Sequence, residues 1–308
     1  MPLQLKQKSI TSINLLSKEE ILSILDCSKK MKEEKISTPL QGKVMASCFY
    51  EPSTRTRLSF ESAMYRLGGS VLGFSDGKMT SSSKGESLYD SIKVIGQYVD
   101  IIVIRHPLEG STQRATEATD KPIINAGDGT NQHPTQTLLD LFSIQESQGS
   151  LENLHIAMIG DLRYGRTVHS LAQACAHFNS RLYFVSPVFL EIPQKICHDL
   201  REKGIKFSFH RNIEEIKHKV DILYFTRIQQ ERFNNKAEYE NLKDSYILST
   251  KSLCNNVKKN LKILHPLPRV NEISPSVDKT PYAYYFQQAQ NGLYVRQALL
   301  SLLLKKSP

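Results

Sequence analysis

The chain has 308 residues, 40% hydrophobic and 23% charged. That length exceeds what one hydrophobic core holds, so two domains are expected of an otherwise ordinary globular composition. No apolar run approaches the ~20 residues that span a bilayer, and residues 1–8 lead into polar sequence rather than a signal core; no membrane association is expected, and the cytoplasm is the expected location. A net charge of +9 and a pI near 9.2 call for an anionic partner. Nucleic acid and small anions are the two candidates, but the cations are spread out, in short runs such as Lys29-Lys30 and Lys258-Lys259 without interleaved aromatic residues, as on a solvated surface, so their placement has to decide. Cys27, Cys48, Cys175, Cys197 and Cys254 are scattered, odd in number and never in a CxxC pair, so neither a disulfide framework nor a metal site is expected in this chain.

Short, nearly continuous apolar runs read as buried parallel strands, with helical patterns between them. The first run, Val44–Phe49, is followed by a helix over 57–67 and a strand at Ser70–Phe74. A serine-rich stretch at 80–84 reads as a loop. A helix over 87–98 precedes a strand at 100–104, and another short strand falls at 123–124. Pro134–Gln148 reads as a long amphipathic helix, with proline suited to its first turn and Gly149 to its end. Strands at His155–Ile159, Arg181–Val185, 221–225 and Lys262–Leu264 then alternate with helices over 167–177 and 189–203. A leucine-rich helix over 292–305 ends the chain and is expected to cross back to the first domain. The expected fold class is α/β: two doubly wound parallel-sheet domains joined by bridging helices. The expected boundaries are 1–133, completed by a C-terminal helix of about 286–308; an interdomain helix at 134–149; and 150–285.

Open α/β sheets bind ligands beyond the carboxyl ends of their strands, and the polar clusters of this sequence fall there. Ser53-Thr54-Arg55-Thr56-Arg57 follows the first strand and opens a helix. One hydroxyl would satisfy a helix cap, whereas three hydroxyls and two guanidiniums at a helix N-terminus suit a phosphate. Arg105-His106-Pro107 follows the strand at 100–104, and an arginine there points to the same crevice. His133-Pro134-Thr135-Gln136 opens the long helix; a histidine at a helix N-terminus tends to be neutral and can polarise a carbonyl. In the second half, Gly160-Asp161-Leu162-Arg163-Tyr164-Gly165-Arg166 follows one strand. Its spacing is not GxGxxG, and arginines fill it, which disfavours a dinucleotide loop. Arg227, Gln229 and Arg232 follow another strand, and His265-Pro266-Leu267-Pro268-Arg269 a third, where one X-Pro bond is a candidate for cis. No nucleophile with a base, metal-ligand spacing or carboxylate pair stands out. These clusters suit a site that binds a polyanion and polarises a carbonyl by positioning and electrostatics.

From about Leu15 to its end, the chain resembles the transcarbamylase family. STRTR at 53–57 and HPTQ at 133–136 resemble that family's carbamoyl-phosphate motifs. HPLPR at 265–269, TRIQQER at 226–232 and GDLRYGR at 160–166 resemble its aspartate-accepting branch. The ornithine-accepting branch typically has cysteine after the histidine of HPLPR. The resemblance implies a carbamoyl-phosphate-binding first domain and an aspartate-binding second one, with no cofactor. It implies that Ser53, Thr54, Arg55 and Thr56 hold the phosphate. Thr56, Arg105 and His133 would polarise the carbamoyl oxygen, with Gln136 near the carbamoyl NH2. Arg166, Arg227 and Gln229 would bind the two carboxylates of aspartate, and the Leu267 and Pro268 carbonyls would meet the carbamoyl and amino groups. Lys84 would enter from a neighbouring subunit of a homotrimer with shared sites, and also meet aspartate; the neighbour's hydroxyl would be Thr80, with Ser81 as the alternative. A zinc-containing regulatory chain in a larger assembly is a further partner implied by the family.

Overall fold

A computed structural model describes residues 5, 9–34, 38–228, 246–254 and 256–304. The chain divides into two units, Met1–Phe142 with Gln290–Pro308, and Ser143–Ala289.

In the first unit, helix α1 (Lys18–Glu33) is followed by β1 (Val44–Phe49), α2 (Thr54–Arg66), β2 (Ser70–Phe74) and α3 (Leu88–Ile95). Then come β3 (Ile101–His106), the short α4 (Ser111–Ala115) and β4 (Ile123–Asp128). All strands are parallel, in the order β2-β1-β3-β4. Central strands lose both faces to the interior, which explains their unbroken apolar character: Ile101, Ile102, Val103 and Ile104 are fully buried. Edge strand β2 is largely open, with Leu72 exposed. Helix α5 (Pro134–Gln148) contains one division between the units, and Gly149 (φ 79°) ends it, its N–H donating to the Gln145 carbonyl.

The second unit carries β5 (His155–Ile159), α6 (Arg166–Cys175), β6 (Arg181–Val185), α7 (Gln194–Glu202) and β7 (Phe207–His210). After β8 (Ile222–Phe225) come α8 (Thr250–Leu253) and β9 (Lys262–Leu264). Its sheet is also parallel, in the order β7-β6-β5-β8-β9. Ala157, Ile159, Leu223, Phe225 and Ile263 pack with Tyr285 in its core. Helix α9 (Tyr285–Leu304) contains the second division.

Several expected elements change. The strand placed at 100–104 runs to His106, because the ladder continues through Phe49↔Arg105 and His106↔Asp128; Arg105 therefore sits within the end of the strand rather than after it. The strand at 123–124 likewise runs to Asp128. The helix placed at 189–203 is broken: a 3-10 turn (Val188–Leu190) precedes α7, and Pro193 stands at the cap of α7, since proline suits a helix start and not its interior. Helix α2 begins at Thr54, not at 57, and α9 begins well before 292. Helix α1 and strand β7 are additional; Ser17 and Glu20 close a capping box on α1. Among the described residues no helix is long and apolar enough to cross a membrane.

Both sheets reverse their winding once, at β1/β3 in the first unit and β5/β8 in the second. Beyond the carboxyl ends of such strand pairs, an open α/β sheet forms its ligand crevice.

Candidate active site

At the β1/β3 reversal, α2 starts one turn beyond the end of β1. Ser53 is its cap residue in extended conformation, yet its side chain makes no capping hydrogen bond. The capping role that serine ordinarily fills is thus not what occupies this hydroxyl. Thr54, Arg55 and Thr56 form the first helical turn, whose N–H groups have no intrahelical acceptor and whose dipole favours an anion. Thr56 is buried, while Thr54 and Arg55 are exposed.

Arg105 meets this turn from the neighbouring strand. Its Nε lies 2.7 Å from Oε1 of Glu51. Burial holds the Arg105 guanidinium below the ordinary arginine range, opposed by the charge of Glu51 and its hydrogen bond. Arg55 is also lowered, by partial desolvation of a side chain that keeps exposed surface and then by the charge of Arg105. A guanidinium whose charge is disfavoured by a second one beside it makes a place where a dianion is stabilised. His106 is engaged differently. Burial lowers its pKa, its Nδ1 accepts the Leu108 N–H at 3.1 Å, and its ring packs on Tyr50.

His133 reaches the same end of the sheet through β4. Asp128, fully buried, accepts from Gly110 N–H (2.9 Å), Asn125 Nδ2 (2.9 Å), Asn131 Nδ2 (3.0 Å) and Gln132 N–H (3.1 Å). That hub fixes the turn leading into His133, which is itself buried just before α5. One turn on, the Gln136 Nε2 donates to Asp140 Oδ1 at 2.8 Å. Thr80 and Lys84 stand apart from this cluster, with no hydrogen bond or ion pair to it. The Thr80 hydroxyl donates to the Gly77 carbonyl at 2.7 Å, and Lys84 is exposed on the 3-10 segment Ser81–Lys84.

In the second unit, the loop after β5 is pressed against the end of β8. Gly160 has φ 111°, and a Cβ there would lie 2.2 Å from the Thr226 carbonyl oxygen. Thr226 Oγ1 donates to the Ile159 carbonyl at 3.2 Å. Arg166 opens α6 behind Gly165, which provides no side-chain cap, and Arg227 follows Thr226 directly. The two arginines thus leave adjacent strands at one reversal point. Arg163 is engaged elsewhere, its Nη1 donating to the Phe189 carbonyl at 3.2 Å. Gln229 and Arg232 lie outside the described residues.

The 265–269 turn is held from behind. His265 Nδ1 accepts the Leu267 N–H at 2.7 Å, and its Nε2 donates to Glu272 Oε1 at 2.7 Å. Glu272 Oε2 accepts from the N–H groups of Val270 and Asn271, both at 3.1 Å. With both ring nitrogens engaged, His265 shapes the turn instead of doing acid–base work. Leu267 takes φ 57°, and the Leu267–Pro268 bond is cis. Arg269 turns away to pair with Asp278 and stack on Tyr285. Glu51, Asp128, Asp140, Glu272 and Arg296 carry no motif signal in the sequence. A carboxylate two residues before STRTR was the one visible hint, for Glu51.

A family model described as aspartate/ornithine carbamoyltransferase, carbamoyl-P binding domain, matches residues 8–146. A second, described as aspartate/ornithine carbamoyltransferase, Asp/Orn binding domain, matches residues 152–303. The catalytic subunit of M. jannaschii aspartate transcarbamoylase is 49% identical, with 97% of this chain and 98% of that one covered and a TM-score of 0.90. Aspartate transcarbamoylase from Trypanosoma cruzi in complex with carbamoyl phosphate and aspartate is 36% identical over 96% of this chain and 95% of that one, TM-score 0.89. The T. cruzi enzyme in complex with N-(phosphonacetyl)-L-aspartic acid is also 36% identical over the same shares, TM-score 0.87. Matched over both of its units, the chain belongs to the aspartate/ornithine carbamoyltransferase family.

Proposed function

We propose that the chain transfers the carbamoyl group of carbamoyl phosphate to the amine of L-aspartate, giving N-carbamoyl-L-aspartate and phosphate. One observation carries this: each sheet's reversal point presents arginines, Arg55 with Arg105 in one unit and Arg166 with Arg227 in the other. Two arginine-bearing ends suit two polyanionic substrates. An ornithine acceptor, whose side-chain amine wants an acid or thiol, is poorly served by Arg166 and Arg227, and Pro266 stands where that branch has cysteine.

Ser53, Thr54, Arg55 and Thr56 hold the phosphate at the N-terminus of α2; each charge-assisted contact contributes roughly 1.5–3 kcal/mol. Thr56, Arg105 and His133 polarise the carbamoyl oxygen, and Gln136 accepts from the carbamoyl NH2. Arg166, Arg227 and Gln229 take the aspartate carboxylates, and the Leu267 and Pro268 carbonyls accept from the carbamoyl and amino groups. The uncharged amine attacks the carbamoyl carbon and forms a tetrahedral intermediate. The carbon–oxygen bond to phosphate then breaks, and the departing phosphate takes the proton of the amine, so no protein base is required. The gain comes from donors aimed at the developing oxyanion.

The same reading makes the chain a subunit of a homotrimer in which Lys84 of one chain completes the next chain's site. Ser81 is exposed, whereas the Thr80 hydroxyl is committed to Gly77, which favours Ser81 as the accompanying hydroxyl. An early step of pyrimidine biosynthesis in the cytoplasm, and a zinc-containing regulatory chain in a larger assembly, complete the proposal. The test is a molecule joining a phosphonate to a succinate-like group. It is expected to bind at least about a hundredfold more tightly than inorganic phosphate or succinate alone. Equal affinity for the joined molecule and for phosphate overturns the two-substrate reading.

A further inference from the structure

A glutamine side chain can present either its NH2 or its carbonyl oxygen to a ligand, and the two ends do opposite chemistry. Gln136 is buried, and its Nε2 lies 2.8 Å from Oδ1 of Asp140, four residues on along the same face of α5. An ionised carboxylate only accepts hydrogen bonds. Rotating the amide by half a turn would set two acceptors against each other, so the NH2 must face Asp140 and the carbonyl oxygen is left for the ligand.

This device works only while Asp140 is ionised, and Asp140 has no exposed surface. A buried carboxylate keeps its charge only with a cation nearby. Arg296, on α9, is a cation whose charge is favoured by that of Asp140; the guanidinium is almost completely buried, lies over the Phe60 ring, and its Nη1 donates to Ser59 Oγ at 2.9 Å. Burial lowers its pKa to about 10, against which the charge of Asp140 raises it; the guanidinium therefore stays cationic at neutral pH. Gly292, one turn before it, leaves the space it fills, since a Cβ there would meet Arg296 Nη1 at 2.4 Å. Three helices converge here: α2 through Ser59 and Phe60, α5 through Gln136 and Asp140, and α9 through Arg296.

We infer that Asp140, held ionised by Arg296, is a positioning residue that fixes the amide of Gln136 with its oxygen toward the ligand, and so selects a substrate with an NH2 at that point. The inference rests on the reading above, in which Gln136 accepts from the carbamoyl NH2. Asp140→Asn keeps the shape but offers Gln136 either a donor or an acceptor, so the amide is no longer held one way.

The test is a double-mutant cycle on the full-length, assembled enzyme, following turnover of carbamoyl phosphate and aspartate. Gln136→Ala and Asp140→Asn are each expected to lower kcat/KM for carbamoyl phosphate by roughly five- to thirtyfold, with inhibition by inorganic phosphate little changed. The double variant is expected to be no worse than Gln136→Ala alone, because Asp140 then has nothing to orient. Multiplying effects overturn the inference and leave the parent reading intact, as the role of an ordinary buried anion would give. No effect of Gln136→Ala overturns both. If Asp140→Asn does not fold, Asp140→Glu, which keeps the charge opposite Arg296 but moves it, takes its place, with the same two outcomes.

Discussion

Glu272 shows how a single buried carboxylate can shape a turn it does not belong to. One of its oxygens takes the His265 Nε2 proton in a hydrogen bond, and the other gathers two consecutive backbone N–H groups. Desolvation raises its pKa, but the hydrogen bond and charge of His265 outweigh it, and the net shift is below the usual 4.5. A depressed folded pKa means that the unfolded chain binds the proton more readily. The stabilisation is then complete above the ordinary carboxylate range and is lost as pH falls through the folded value. Glu272→Gln should therefore be less stable than wild type in thermal unfolding at pH 7, with the gap narrowing once pH drops below about 4.5. A gap that stays constant down to pH 3 would mean that the Glu272 charge does not contribute. The sequence made the front of each unit's candidate cluster legible and its back illegible, for a physical reason. Arginines and hydroxyls after an apolar run mark a strand's carboxyl end, whereas Glu272, Asp140 and Arg296 act on partners at no fixed spacing and look like any surface charge. Arg269, the cation of the HPLPR motif, is likewise paired with a carboxylate at no motif spacing, Asp278.

At the scale of elements, the second unit's site depends on how closely two strand ends can approach. Gly160 (φ 111°) allows the turn after β5 to lie against the Thr226 carbonyl, next in sequence to Arg227, and that turn leads to Arg166 at the start of α6. Gly160→Ala adds a methyl 2.2 Å from that oxygen and a strained backbone costing ~1–3 kcal/mol. The expected result is a lower melting temperature and a KM for aspartate raised by about tenfold or more, with KM for carbamoyl phosphate nearly unchanged. Equal changes in both constants would show that the turn does not act through the aspartate side. The strands that carry these turns were legible because β1, β3, β5 and β8 are buried on both faces and cannot interrupt their apolar runs. Strand β7 escaped notice as a half-exposed edge of four residues. The break at Pro193 and the early start of α2 at Thr54 are cap features, which periodicity does not register. The early start of α2 matters most, since it puts Thr54 to Thr56 within the first helical turn itself, where the anion site was expected.

The whole molecule poses the question of how many chains make one site. The first unit exposes several large apolar side chains: Leu58 and Tyr65, two turns apart on α2, Leu72 on edge strand β2, Met79 and Tyr98. Where such side chains form one contiguous patch they mark an interaction surface, and Lys84 stands exposed five residues from Met79. If chains close into a ring and lend Lys84 to one another, Arg55 serves its own chain's site while Lys84 serves the next. Arg55→Ala and Lys84→Ala assemblies should then each be nearly inactive, because every site lacks one cation. Unfolding the two together in equal amounts and letting them reassemble gives a different result. A site is intact when its own chain carries the lysine substitution and its donor carries the arginine substitution. Random mixing in a closed ring makes that so for about one site in four. Activity should return to roughly a quarter of wild type from two inactive parents. If Lys84 instead served its own chain, no mixture could hold an intact site. Activity staying at the parental level, with mixed assemblies shown to form by mass measurement, would remove Lys84 from the neighbour's site.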